Sequence, residues 1–134
     1  MERDHSEATD VEGLLRITPV DAGGAVVVAA AGEVDLATGP KLRTAVAELL
    51  ERPEPVPVVV DLTSVTFLGS TGIAVLVDAH WQAAQLHVPL KIVVAPDGPA
   101  HRTLRTTGVD HHLSLHHDVG AALRDIGTRG TGTH

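Results

Sequence analysis

Ser70 and Thr71, bracketed by Gly69 and Gly72, set two adjacent hydroxyls where the apolar run Val58 to Val60 gives way to a helical pattern. Placing the predicted helix start at Ser70 offers that residue two kinds of chemistry. As the N-cap it would accept a bond from the leading peptide N–H groups, which lack intrahelical partners. As a modified residue it would hold a phosphate against the positive end of the helix dipole. Capping is the commoner use of such a serine, and local spacing alone does not separate the two.

Other chemistries fit less well. A nucleophile elbow needs glycine two residues before the serine, and that position is Leu68. No Gly-Lys-Ser/Thr phosphate loop occurs, and Gly127, Gly130 and Gly132 fall in a terminal stretch rather than between a strand and a helix. The chain has nine histidines, among them His111, His112, His116 and His117, and neutral imidazoles are good metal ligands. Neighbours on a strand point to opposite faces, however, and no cysteine is present, so these are expected to be solvent-facing strand-end side chains. Neither a metal nor a cofactor is expected. Glu33 and Asp35, two apart in a short connection, suit capping or solvation of a helix start better than paired acid and base work.

Asp61, Leu62, Val65 and Phe67, followed by Gly69, Ser70, Thr71 and Gly72, resemble the signature of anti-sigma-factor antagonists, members of the STAS domain family. Ala31 to Leu36, with Gly32, Glu33 and Asp35, resembles the family's earlier Gly-Glu-apolar-Asp segment, and the match spans about residues 13 to 126. The resemblance implies that Ser70 is the phosphoacceptor, with Thr71 its neighbour. It implies a partner that is both anti-sigma factor and serine kinase, bound by the unmodified form so that a sigma factor is freed, with a serine phosphatase as a further partner. The family usually carries Asp where this chain has Gly69. A non-switching STAS scaffold, in which Ser70 is only a helix cap, is the alternative. By the same resemblance Glu33 and Asp35 lie beside the phosphoacceptor and belong to the partner surface. Ile73, Leu76 and Val77 are expected to face the core, leaving Val75 and Ala79 as exposed apolar contacts.

The elements that must position these residues follow from composition and period. A chain of 134 residues with 43% hydrophobic content suits one domain, and its core must be aliphatic because aromatics make up 1%. A net charge of -7 opposes nucleic acid and anionic membranes, and no segment has the length and apolarity of a membrane span. A soluble, cytoplasmic protein that catalyses nothing is expected. Residues 1–12 are predicted to be a flexible acidic tail and 127–134 a flexible Gly/Thr-rich one. Between them the pattern predicts strands over 14–20 and 25–31 joined by a hairpin turn, a helix over 38–51, and a strand over 56–62. A helix over 70–86, a strand over 90–95, a helix over 100–107, a strand near 112–116 and a last helix from Asp118 to Ile126 complete the series. Alternation of this kind predicts an α/β fold, a mixed and mostly parallel sheet of about five strands flanked by about four helices.

Overall fold

The computed structural model describes residues 14–132, with side chains described through Gly127; the acidic tail predicted over 1–12 lies outside the described residues. Five strands, β1 (Leu15–Asp21), β2 (Val26–Val34), β3 (Val58–Leu68), β4 (Leu90–Val93) and β5 (Leu115–His116), form one sheet in the order β1-β2-β3-β4-β5. β1 runs antiparallel to β2 and every other pair is parallel. The parallel pairs are linked by helices, α1 (Gly39–Leu50), α2 (Ser70–Leu86) and α3 (Pro99–Thr107), and α4 (Val119–Gly132) closes the chain. This is the α/β architecture that the alternating pattern predicts.

Alternation along the strands explains how both faces of the sheet are covered. Val58 and Val60 enter the main core with Leu42 and Val46 of α1, Leu76 of α2 and Leu104 of α3, whereas Val59 enters a second, smaller cluster with Val27, Val93 and Ala122 of α4. Three helices therefore cover one face and α4 the other, which is why the runs Val58 to Val60 and Ile92 to Val94 are apolar on both faces. Both large aromatic rings stay outside this aliphatic core: Phe67 and Trp81 are exposed.

Several predicted boundaries move. β3 does not end at Leu62 but runs six residues further, because β2 continues to pair with it through Ala31↔Ser64, Gly32↔Val65, Glu33↔Phe67 and Val34↔Leu68, with bulges absorbing the register shifts. The expected short loop before the Ser70 helix is thus a single residue, Gly69. The strand expected over 112–116 is a 3₁₀ turn (Val109–His112) followed by the two-residue β5. α4 continues to Gly132, well into the stretch predicted to be a tail; residues 133 and 134 lie outside the described residues. Gly32, at φ +120°, is where β2 bends: a Cβ there would collide with the Leu14 carbonyl, so β1 can cross only over a glycine.

Candidate functional site

At the carboxyl end of β3 the chain turns directly into α2. Gly69, extended at φ -89° and ψ -176°, is the N-cap, its N–H donating to the Val34 carbonyl at 2.8 Å, and Ser70 is the first helical residue. The predicted N-cap is therefore displaced by one position, and no side chain caps this helix. The first i→i−4 bond is Ile73 N–H to Gly69 O at 3.0 Å, so the N–H groups of Ser70, Thr71 and Gly72 point out of the helix start as its orphan donors. Together with the macrodipole they make a local anion-tolerant end. Ser70 is exposed, whereas Thr71 is half-buried with its methyl 2.6 Å from where a Cβ on Gly39 would stand, turned toward α1. Of the two hydroxyls, Ser70 is the one open to an approaching molecule.

Gly69 and Gly72 have different steric reasons. A Cβ on Gly69 would meet Phe67 Cε2 at 3.0 Å, so the exposed Phe67 ring lies over the backbone beside Ser70, in the space next to the position that carries Asp in the family. A Cβ on Gly72 would meet Leu68 Cδ1 at 2.5 Å and Val34 Cγ1 at 2.7 Å, so glycine lets α2 sit tightly on the ends of β2 and β3.

The turn from β2 into α1 lies alongside and is built in the opposite way. Asp35 Oδ1 accepts the N–H groups of Ala37 and Thr38, both at 3.0 Å, and the buried Thr38 Oγ1 accepts Asp35 N–H at 2.9 Å while donating to the Glu33 carbonyl at 2.6 Å. The same hydroxyl lies 3.0 Å from Asp35 Oδ1; having one proton, it serves the shorter carbonyl bond or shares between the two. Backbone and side-chain bonds from Thr38 hold the Asp35 carboxyl below its ordinary value by stabilising its charged form. Asp35 thus has the structural use expected of it. Glu33 is exposed opposite Phe67 on β3, and Leu36 at the turn's tip is 81% exposed.

Val75 and Ala79 correct the expected partner surface. They are 2% and 6% exposed and line, with Arg43 and Val46 of α1, the seam between α1 and α2. The stripe that α2 buries is Gly72, Val75, Leu76, Ala79 and Ala83, while Ile73 and Val77 are only half-buried. Both stripes have helical spacing, and the Arg43–Asp78 pair at 3.0 Å shows which of them faces α1. The exposed apolar side chains near Ser70 are instead Leu36 and Phe67. Sequence reasoning named neither as an exposed contact; the signal available was Phe67, a large aromatic ring three residues before the serine in a chain whose core is aliphatic.

The histidines divide among separate settings. His111 and His112 are exposed on the 3₁₀ turn, not on a strand. His116 is not solvent-facing: its Nε2 is buried 3.6 Å from Asp125 Oδ2. His117 Nδ1 lies 3.3 Å from the Val94 carbonyl, its ring 5.3 Å from that of His101. His101 Nδ1 accepts the Asp97 N–H at 2.9 Å. Among the described residues no group of three or more His, Cys, Asp or Glu could hold a metal ion, and no helix is long and apolar enough to cross a membrane.

The STAS domain model matches residues 16–122. The anti-sigma-F factor antagonist RsfB of Mycobacterium tuberculosis is 32% identical over 113 residues, which cover 84% of this chain and 89% of that protein. An anti-sigma factor antagonist from Mycobacterium paratuberculosis has a crystal structure that superposes with a TM-score of 0.76 at 27% identity, over 83% of this chain and 92% of that one. The Bacillus cell fate determinant SpoIIAA in its phosphorylated form shares the fold at a TM-score of 0.61 and 12% identity, over 81% and 97% of the two chains.

Proposed function

The chain belongs to the STAS domain family, among its anti-sigma-factor antagonists, and from that premise we propose that Ser70 is a phosphorylation switch controlling which partner is held. Proteins of this kind are regulatory binding modules rather than enzymes. The unmodified chain binds an anti-sigma factor that is also a serine kinase, and a sigma factor is freed. Ser70 Oγ then attacks the γ-phosphorus of ATP held by that partner. The Oγ–P bond forms as the bond to ADP breaks, and the hydroxyl proton passes to a base of the kinase. The phosphorylated chain lets go, and a serine phosphatase in the cytoplasm resets it.

The observation that carries this reading is an exposed Ser70 hydroxyl that leaves its helix start uncapped. A serine bonded into a cap would have to break that bond to react; this one does not. Phosphate adds about −1.5 to −2 charges and three acceptor oxygens where three peptide N–H groups and the dipole favour them. SpoIIAA, solved in phosphorylated form, supports the view that this fold tolerates a phosphate. A partner surface matched to a neutral hydroxyl beside Leu36 and Phe67 must desolvate the dianion. An uncompensated buried charge costs on the order of several kcal/mol, and about 1.4 kcal/mol is already tenfold in affinity.

Incubation with the cognate kinase and ATP, followed by mass-spectrometric mapping, tests the assignment. A single phosphate on Ser70, with loss of the partner from pull-downs, is the expected outcome. Modification at Thr71, or a phosphorylated chain that keeps its partner, overturns it.

A further inference from the structure

We propose that the C-terminal half of α2 is a self-association surface, on which a second copy of this chain docks through Trp81. The helix is apolar on two faces. One is the buried stripe described above; the other carries Ala74, Trp81 and Ala84, all exposed, with Val77 half-buried among them. Trp81, the only tryptophan, is 58% exposed, and Leu86 at the helix end is exposed as well. The His80 ring meets the indole edge-on, with centroids 5.3 Å apart, and His80 also lines an open cleft of about 200 Å³. Trp81 therefore stands at the rim of that cleft, whose lining is largely apolar: Ala83, Ala84, Val88, Pro89 and Leu90.

Charge selects the occupant. The chain carries a net charge of -7, so two copies repel through most of their surface. Between Asp78 and Asp97 there is no Asp, Glu or Arg, and the one lysine, Lys91, is buried with its ammonium 2.7 Å from Asp125 of α4, on the opposite face of the sheet. This stretch is where two like-charged copies approach at least cost. Absence of charge around an exposed tryptophan is the composition of an interface core, and Gln82 and Gln85 supply a polar rim. The patch also carries a projecting ring and, next to it, a recess smaller than drug-sized pockets and suited to one large side chain. A two-fold pairing needs such self-complementarity, because each copy presents the same surface: the indole of one enters the cleft of the other, twice. Trp81 lies about 16 Å along α2 from Ser70, so the surface does not depend on the phosphoacceptor. With one ring and one cleft per copy the contact falls at the small end of specific interfaces, which makes the dimer reversible rather than obligate.

Sedimentation equilibrium on the full chain from about 10 μM to about 1 mM tests this, with Trp81 emission followed over the same range. The average mass is expected to rise from one chain toward two, and the emission to move to shorter wavelength on the same curve as the indole leaves water. Trp81→Ala should stay monomeric throughout and, as a change at an exposed side chain, should keep the fold. Ala84→Arg keeps the indole but sets a charge at the mouth of the cleft, and should weaken association by about tenfold or more. Circular dichroism identifies which variants are folded, and either one decides if the other is not. A parent chain still monomeric at about 1 mM, a dimer whose emission does not move, or association undiminished in a folded variant overturns the proposal.

Discussion

The helix starts that follow β2 and β3 stand side by side at one end of the sheet, and they treat their polar groups in opposite ways. After β2, Asp35, Thr38 and Glu33 exchange bonds until the turn satisfies itself, with Thr38 sealed from solvent. After β3, one glycine separates strand from helix, and Ser70 faces solvent with no capping bond. A rigid turn thus braces a helix start left chemically open. The physical lesson is that availability, not residue type, distinguishes the two hydroxyls: Thr38 is spent on holding the backbone, whereas Ser70 is exposed and makes no capping bond.

That contrast can be broken by mutations that should differ widely in stability. Gly32→Ala is expected to cost the most, about 3 kcal/mol, because φ +120° strains any Cβ and the Leu14 backbone must move aside. Urea unfolding checks it, and a loss below about 1 kcal/mol would show that β1 crosses β2 more loosely than described. Thr38→Val keeps the shape but strands the Glu33 carbonyl and the Asp35 N–H, at a cost of about 2 kcal/mol. Ser70→Ala should lie within about 0.5 kcal/mol of the parent, since a lost cap would instead cost about 1 kcal/mol. Comparable losses at Thr38 and Ser70 would erase the distinction. Under the proposed switch, the same Ser70→Ala chain should keep its anti-sigma partner in pull-downs with ATP present, and the parent should release it.

The strands and helices were legible in the sequence wherever period and composition agreed, as at Val58 to Val60 and from Ser70 to Leu86. They were not legible where a partner element decides. Thr63, Ser64 and Thr66 look like loop residues, yet β2 holds them in a strand because Val65 and Leu68 can still turn inward between them. Val75 and Ala79 lie on one of two stripes with helical spacing, and only the position of α1 selects the one that is buried. At the site, the motif located Ser70, but the one-residue shift of the cap to Gly69 follows from how far β3 extends. The burial of Lys91 had no local mark at all: it arises where α4 brings Asp125 across to its ammonium.

The smallest expected effect tests the braced side of the comparison through its charge. The carboxyl of Asp35 titrates below its ordinary value because the Thr38 backbone and hydroxyl bonds favour its charged form. A depressed folded value means that the unfolded chain binds the proton first. The contribution to stability is therefore fully present above the unfolded value of about 3.9 and is lost as pH falls through the lower folded one. Asp35→Asn retains an oxygen that can accept the Ala37 and Thr38 N–H groups but cannot titrate there. The difference in urea midpoint between parent and variant should be constant from neutral pH down to about pH 5 and then shrink steadily into the acid range. A difference that stays flat to pH 2 would mean that the Thr38 bonds do not discriminate between the two forms of the carboxyl, and that the turn after β2 is held by its backbone alone.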